Sequence, residues 1–237
     1  WGQLSAAVSE LIIRKGSVLE RITQGHDSGD AIVLGPGHEL ASDEGVADVR
    51  NLIKVLASGS LGLIYLDAEP GRRTLEQINA TFPHLIPRLV KHKGIGFILV
   101  LSEQDGSLAI GAHGVHHLET GRIEGIDPLL PFGPNAARHV LRTSGFAHVA
   151  DIMINASFDE QTCEIGAFEE LVGSHGGLGG EQMHPFVLFP SEFPWPEEPV
   201  VSAEHLHRVL VGWLHDLGHD IARVKHLERL QDEAATS

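Results

Sequence analysis

Sixteen of the 237 residues are histidine, and imidazole is the side chain that both titrates near neutrality and ligates metals most often. His175 stands apart, set among five glycines in Gly173-Ser-His-Gly-Gly-Leu-Gly-Gly180. Glycines on both sides let the backbone take φ > 0 and come close to a ligand, and a neutral ring nitrogen is a zinc donor. An apolar run of strand length, Pro185-Phe-Val-Leu-Phe189, follows, so the loop is expected at a sheet edge, where α/β proteins place their sites. The same string also reads as a flexible loop with an incidental histidine. Three carboxylates stand near it in sequence: Asp151, immediately before Ile152-Met-Ile-Asn155, and the pair Glu169 and Glu170. Such groups complete a hard or borderline metal site, or accept the second ring N–H of a ligating histidine. Asp151 ranks first in that role because it marks a strand boundary. Their structural reading, a turn residue and a solvated pair, is the one the residues alone favour.

Other histidines form weaker patterns. His113, His116 and His117 fall on a predicted strand, where the first and third share a face about 13 Å apart, too far to bind one metal; a surface hairpin is the expectation. Leu214-His-Asp-Leu-Gly-His-Asp220 resembles the His-Asp signature of the HD phosphohydrolases. It stands on a predicted amphipathic helix with His205 and His207 upstream. HD domains are all-helical and need a distant downstream Asp, whereas 17 residues follow Asp220. No Walker A, G-x-S-x-G, H-E-x-x-H or G-x-G-x-x-G signature is present.

The elements that must hold these residues alternate. Helices are expected over 3–24, from the cap Thr74 to about 80, over 86–92, 135–142, 205–214 and 221–235. Strands are expected over 31–34, 60–66, 95–102, 107–113, 115–118, 121–124, 152–155, 164–168 and 185–189, while 48–56 fits either. Strands alternating with helices indicate an α/β class with an inserted antiparallel hairpin region. Its central strands should be 61–66, 95–101, 152–155 and 186–189. Composition narrows the partners: 17 Lys+Arg against 32 Asp+Glu gives a net charge of −15, which repels phosphate backbones and anionic membranes. The single cysteine, Cys163, excludes an intrachain disulfide and a zinc–cysteine cluster. No apolar run approaches the ~18 residues of a membrane span, so the chain as given is expected to be soluble.

Taken together, His148-Val-Ala-Asp-Ile-Met-Ile-Asn155, Phe158-Asp-Glu, Ala167-Phe-Glu-Glu-Leu-Val-Gly-Ser-His-Gly-Gly177 and Pro185-Phe-Val-Leu-Phe-Pro190 resemble the C-terminal portion of the type I phosphodiesterase/nucleotide pyrophosphatase family of the alkaline phosphatase superfamily. Val55-Leu-Ala-Ser-Gly-Ser-Leu-Gly-Leu-Ile-Tyr65 and Asp127-Pro-Leu-Leu-Pro-Phe-Gly-Pro134 look like segments of its bacterial members. The resemblance runs over roughly residues 1–215 and is specific at 173–177. It implies an alkaline-phosphatase-like mixed sheet flanked by helices over 1–190, followed by a Pro-rich connector and C-terminal helices over 191–237. It also implies a hydrolase of phosphodiester or pyrophosphate bonds with two divalent metal ions, usually zinc, and a Thr or Ser nucleophile. The last ligand histidine of that family maps onto His175. No Ser-Asp-His-Gly string or nucleophile motif matches; the nearest, Ser42-Asp-Glu-Gly45, has Glu where the ligand should be. With Trp rather than Met at position 1, the resemblance implies a C-terminal portion that lacks catalytic residues and binds zinc weakly or not at all by itself. A phosphoester small molecule is then the partner of the parent protein. The parent's compartment is open, membrane attachment through an upstream region included. Self-association through an exposed sheet surface is expected of the portion. Two other functions stay open: a stand-alone binding module and an HD-type phosphohydrolase controlled by His215 and Asp216.

Overall fold

The computed structural model describes residues 53–66, 71–168 and 175–219. The expected elements at 3–24, 31–34 and 221–235 lie outside them, as do Glu169 and Glu170. The chain divides into two compact units, one of residues 1–144 and 148–183, the other of 145–147 and 184–237. The division thus falls at 183/184, seven residues before the boundary expected at 190/191.

The first unit is mixed α/β, built on a seven-stranded sheet. Its strands are β1 (Ile53–Ser58), β2 (Leu61–Leu66), β3 (Ile95–Ser102), β4 (Gly106–Gly111), β5 (Gly114–His117), β6 (Arg122–Gly125) and β7 (Ile152–Ala156). They lie in the order β1-β2-β7-β3-β4-β5-β6, and every pairing is antiparallel. The order puts β7, the last of these strands in sequence, between β2 and β3, and all five of its residues are buried. The long apolar runs at 95–101 and 152–155 therefore report burial on both faces, not parallel direction. Of the four central strands expected, 61–66, 95–101 and 152–155 are strands; 186–189 is not.

Side-chain alternation sorts the strands into two cores. On one face Ile64, Leu66, Ile98, Val100, Ile152 and Ile154 pack with Ile78, Leu85, Ile86 and Leu89. These last four come from helices α1 (Leu75–Thr81) and α2 (Leu85–Leu89). On the other, Phe97, Leu99, Ala109 and Met153 meet Leu129, Phe132, Ala136 and Val140 from a 3₁₀ turn (Leu130–Phe132), its flank and α3 (Ala136–Ser144). Phe97 and Phe132 meet edge to face at 5.1 Å, a favoured aromatic geometry. The expected cap is present and stronger than read: Thr74 accepts from the Gln77 amide while the Gln77 side chain returns to the Thr74 amide, satisfying two end groups reciprocally. The expected strand over 164–168 shrinks to a two-residue strand, β9 (Glu164–Ile165), paired with β8 (Phe158–Asp159).

The second unit is organised by aromatic rings. Trp213 on helix α4 (Ala203–Asp216) donates its indole N–H to the Pro194 carbonyl at 2.7 Å. Phe189, Phe193 and Trp195 surround it with centroids 5.2, 5.2 and 5.9 Å away. Residues 185–189 are irregular instead of forming the expected strand. Phe189 turns into the aromatic cluster while Phe186 and Leu188 stay 90% and 92% exposed; a strand needs a ladder partner, and this run has none among the described residues. Among the described residues no helix is long and apolar enough to cross a membrane.

Candidate functional site

Three segments converge at one end of β7. The first is the two-residue turn Gly59-Ser60 between β1 and β2. Gly59 has φ +59° and a Cβ there would lie 2.2 Å from the His175 carbonyl oxygen, so glycine is required both by conformation and by approach. The second is the end of β7, where Asn155 pairs across from Leu61. The third is the glycine loop that carries His175.

Two buried polar side chains fasten that loop. Asn155 is 1% exposed. Its Oδ1 accepts from the Leu178 amide at 2.6 Å, and its Nδ2 donates to the carbonyls of Leu178 at 2.9 Å and Ala156 at 3.0 Å. Ser60 is fully buried. Its amide donates to the His175 carbonyl at 2.7 Å and its hydroxyl donates to the same oxygen at 3.1 Å. The hydroxyl oxygen accepts from the Gly177 amide at 3.1 Å and from Gln182 Nε2 at 2.9 Å. Gln182 Nε2 also donates to the Gly177 carbonyl at 3.0 Å. Glycine is again required at 176, where φ is +89° and a Cβ would meet the Ser58 carbonyl at 2.2 Å. The loop from 175 to 178 is thus held to the sheet end at the His175 carbonyl and at both backbone groups of Gly177 and Leu178.

The histidine itself is left over from this satisfaction. His175 is exposed. Its Nε2 lies 3.1 Å from Ser58 Oγ, and its Nδ1 has no hydrogen-bond partner among the described residues. Its carbonyl is held by Ser60, while its ring is exposed.

Asp151, ranked first as the partner of His175, is placed elsewhere. It lies at the opposite end of β7, where Oδ2 accepts from the Leu66 amide at 2.6 Å and Oδ1 from the Arg73 amide at 2.5 Å. Leu66 and Leu61 are the two ends of β2, which at about 3.4 Å per residue separates the groups by about 17 Å. The carboxylate ties the start of β7 to β2 and to the entry of α1, and Ser58 occupies the position beside the His175 ring instead. Arg72 lies near Asp151 and donates to the Ser144 carbonyl and hydroxyl at 3.0 and 2.9 Å. Burial pulls its pKa below the ordinary arginine value, and the carboxylates of Asp151 and Glu119 oppose that.

The other histidines resolve into local pairs. His116 and His117 are buried rather than on a surface hairpin. His116 Nδ1 meets Asp127 Oδ1 at 3.0 Å, and His117 Nε2 meets Glu124 Oε1 at 3.1 Å. His113 lies in the turn before β5, so the face shared with His117 does not arise. His215 and Asp216 sit exposed in the last turn of α4, 3.4 Å apart. Among the described residues no group of three or more His, Cys, Asp or Glu side chains is placed to hold a metal ion. His175 therefore fits a metal as a single donor and not as a complete centre.

Sequence reasoning singled out His175 and did not read the side chains that meet its loop, Ser58, Ser60, Asn155 and Gln182. Two signals were readable: an Asn closing an otherwise apolar strand, and a Ser-Gly-Ser string between two strands. Comparison with protein-family models, curated proteins and solved structures returned no match.

Proposed function

We propose that this chain is the C-terminal portion of a metal-dependent hydrolase of phosphodiester or pyrophosphate bonds, with an alkaline-phosphatase-like fold, and that His175 is one of its metal ligands. The observation that carries the reading is the pairing of opposites at the glycine loop. Its backbone is bonded at the His175 carbonyl and at Gly177 and Leu178 by Ser60, Asn155 and Gln182, yet its imidazole is exposed and, among the described residues, hydrogen-bonded at Nε2 alone. A loop held that firmly presents a donor in one place, which lowers the ordering cost of binding. The family resemblance, specific at residues 173–177, supplies the identity of the ligand.

In such an enzyme a bound metal would supply Lewis-acid activation of the phosphoester. His175 would be one of its ligands. Ser60 and Asn155 would keep the His175 loop in place. The remaining ligands and the nucleophile come from residues beyond those described, and from upstream parts of the parent. One imidazole does not hold two metals, so this chain by itself is not a competent catalyst, and its affinity for zinc is weak. The acidic surface, net −15, agrees with a small phosphoester substrate better than with a nucleic-acid backbone.

The test is hydrolysis of a chromogenic phosphodiester by the parent protein before and after chelation. Activity that is lost with chelator and restored by zinc is the expected result. Activity that survives exhaustive metal removal contradicts the reading.

A further inference from the structure

Strand β6 stands last in the sheet order, and all four of its residues are exposed. A strand in that place offers its outward backbone groups to any chain that can pair with them. Which groups face outward follows from the ladder. On the β4 side of β5 the Leu118 amide donates to the Ser107 carbonyl at 3.0 Å, and on the β6 side the Ile126 amide donates to the His113 carbonyl at 3.0 Å. Antiparallel ladders alternate bonded and unbonded pairs. With His113 and Ile126 bonded, the register Gly114–Gly125, Val115–Glu124, His116–Ile123 and His117–Arg122 makes Val115–Glu124 and His117–Arg122 the bonded pairs. Ile123 therefore turns its N–H and C=O away from β5, and among the described residues no strand pairs with β6 on that side. Side chains alternate as well. Arg122 and Glu124 share the face of His117, where Arg122 Nη1 meets Glu124 Oε1 at 2.6 Å and His117 Nε2 meets the same oxygen at 3.1 Å. Ile123 lies on the other face, and it is exposed along with Ile126 and Leu130 just after the strand.

We propose that β6 is a self-complementary edge and that its occupant is β6 of a second copy of this chain, paired antiparallel about a two-fold axis at Ile123. The proposal is independent of the metal reading. Outward backbone groups recur at every second residue, so only three two-fold registers of this strand keep them in step. Centring on Arg122 sets that residue against its own copy, and centring on Glu124 does the same for Glu124; like charges directly opposite are destabilising. Centring on Ile123 sets Arg122 of each chain opposite Glu124 of the other. It also sets Ile123 opposite Ile123, whose outward N–H and C=O groups then exchange two hydrogen bonds. The Arg122–Glu124 pairs fall at the unbonded positions, where Cα atoms are about 4.5 Å apart and side chains come closest. Charge thus selects one register, and that register calls for a partner with this same strand. Such an interface uses one patch on both chains and closes at two, joining the two sheets edge to edge. Ile126 and Leu130 supply apolar surface beside the short ladder. An edge of four residues gives a weak, reversible dimer, at the low end of interface sizes.

The test is sedimentation equilibrium of the 237-residue chain from about 1 µM to about 1 mM. Salt at about 0.15 M screens the repulsion between two chains of net charge −15. The wild type should pass from monomer to dimer as concentration rises, and exchange of the Ile123 amide should slow with it. Ile123→Pro removes the outward N–H at a position where an edge strand tolerates proline, and it leaves the bonds to β5 in place. It should weaken the dimer at least about tenfold, for the two lost hydrogen bonds, while the thermal midpoint of the monomer stays unchanged. The register is tested by charge. Arg122→Glu and Glu124→Arg chains should each remain monomeric, and an equal mixture of the two folded variants should form a heterodimer, since each then faces the opposite charge. A wild type that is monomeric over the whole range overturns the proposal, as does a dimer that survives Ile123→Pro or a mixture that does not associate. An Ile123 amide already slow to exchange in the monomer also overturns it, because a segment of the same chain then holds the edge.

Discussion

Strand β7 has a buried polar side chain at each end, Asp151 before Ile152 and Asn155 before Ala156, 4% and 1% exposed. Both accept hydrogen bonds from backbone amides of distant segments: Asp151 holds the start of β7 to β2, and Asn155 holds its other end to the loop at Leu178. At the Asp151 end every oxygen is directed inward: Leu66 and Arg73 donate to the carboxylate, and Arg72 stands beside it. At the Asn155 end the same kind of internal bonding stops one residue short of completion. The loop is bonded at the His175 carbonyl, Gly177 and Leu178, and the side chain it carries, His175, is exposed with no hydrogen bond at Nδ1 among the described residues. The Asp151 carboxylate bonds inward to backbone amides, whereas at the other end the bonded loop carries an exposed imidazole; among the described residues, buried Arg72 Nε and Nη2 at the first end and Gln182 Oε1 at the second have no hydrogen-bond partner.

Substitutions at the two ends should separate these roles. The largest loss of stability is expected from Asp151→Ala, which leaves two backbone amides without acceptors and Arg72 without its nearest carboxylate. A cost of about 4 kcal/mol follows from unsatisfied buried groups of this kind, measured as a lowered denaturation midpoint. The His175 ring-nitrogen signals should not change.

Asn155→Leu comes next, at about 3 kcal/mol, since it strands both the amide and the carbonyl of Leu178. Here the loop should respond as well. Faster hydrogen exchange at the Leu178 amide and altered His175 ring signals are the expected readouts, and their absence would make Asn155 as purely architectural as Asp151.

A smaller effect belongs to acid. Glu76, near the Asp151 end, is pushed up by burial, but hydrogen bonds from the Glu103 amide and the Ser102 hydroxyl outweigh that and hold it below its ordinary value of 4.5. A depressed carboxylate stabilises the fold at neutral pH and loses that contribution as pH falls through its folded pKa. Glu76→Gln should therefore flatten the stability decline below about pH 4.5, read from denaturation midpoints across pH. An unchanged slope would remove Glu76 from the acid response.

These contrasts bear on how much the sequence can reveal. Strands 61–66, 95–101 and 152–155 were legible because their apolar runs are bounded by Gly, Pro and Asp. Thr74 was legible as a cap because its partner Gln77 is local. Strand direction was not legible, since burial on both faces writes the same apolar run whether neighbours run parallel or antiparallel. Residues 185–189 have the pattern of a strand, but pattern does not supply a partner, and Phe189 turned instead to Trp213. At the site, the glycines around His175 were readable because each required conformation is local. The Ser58 contact spans 117 residues and depends on β1 and the loop meeting in space. Asp151 drew attention for its position beside a strand, and the antiparallel register then placed it at the wrong end of that strand.

The smallest expected effect on stability is also the most informative one. His175→Ala removes an exposed side chain with little packing and should move stability by no more than about 0.5 kcal/mol. The decisive measurement is zinc-dependent hydrolysis of a chromogenic phosphodiester by the parent protein carrying that substitution, with its thermal midpoint recorded alongside. A loss of most of the activity at an unchanged midpoint is the outcome expected of a metal ligand on a prebuilt frame. Full activity in the His175→Ala protein would contradict the assignment outright.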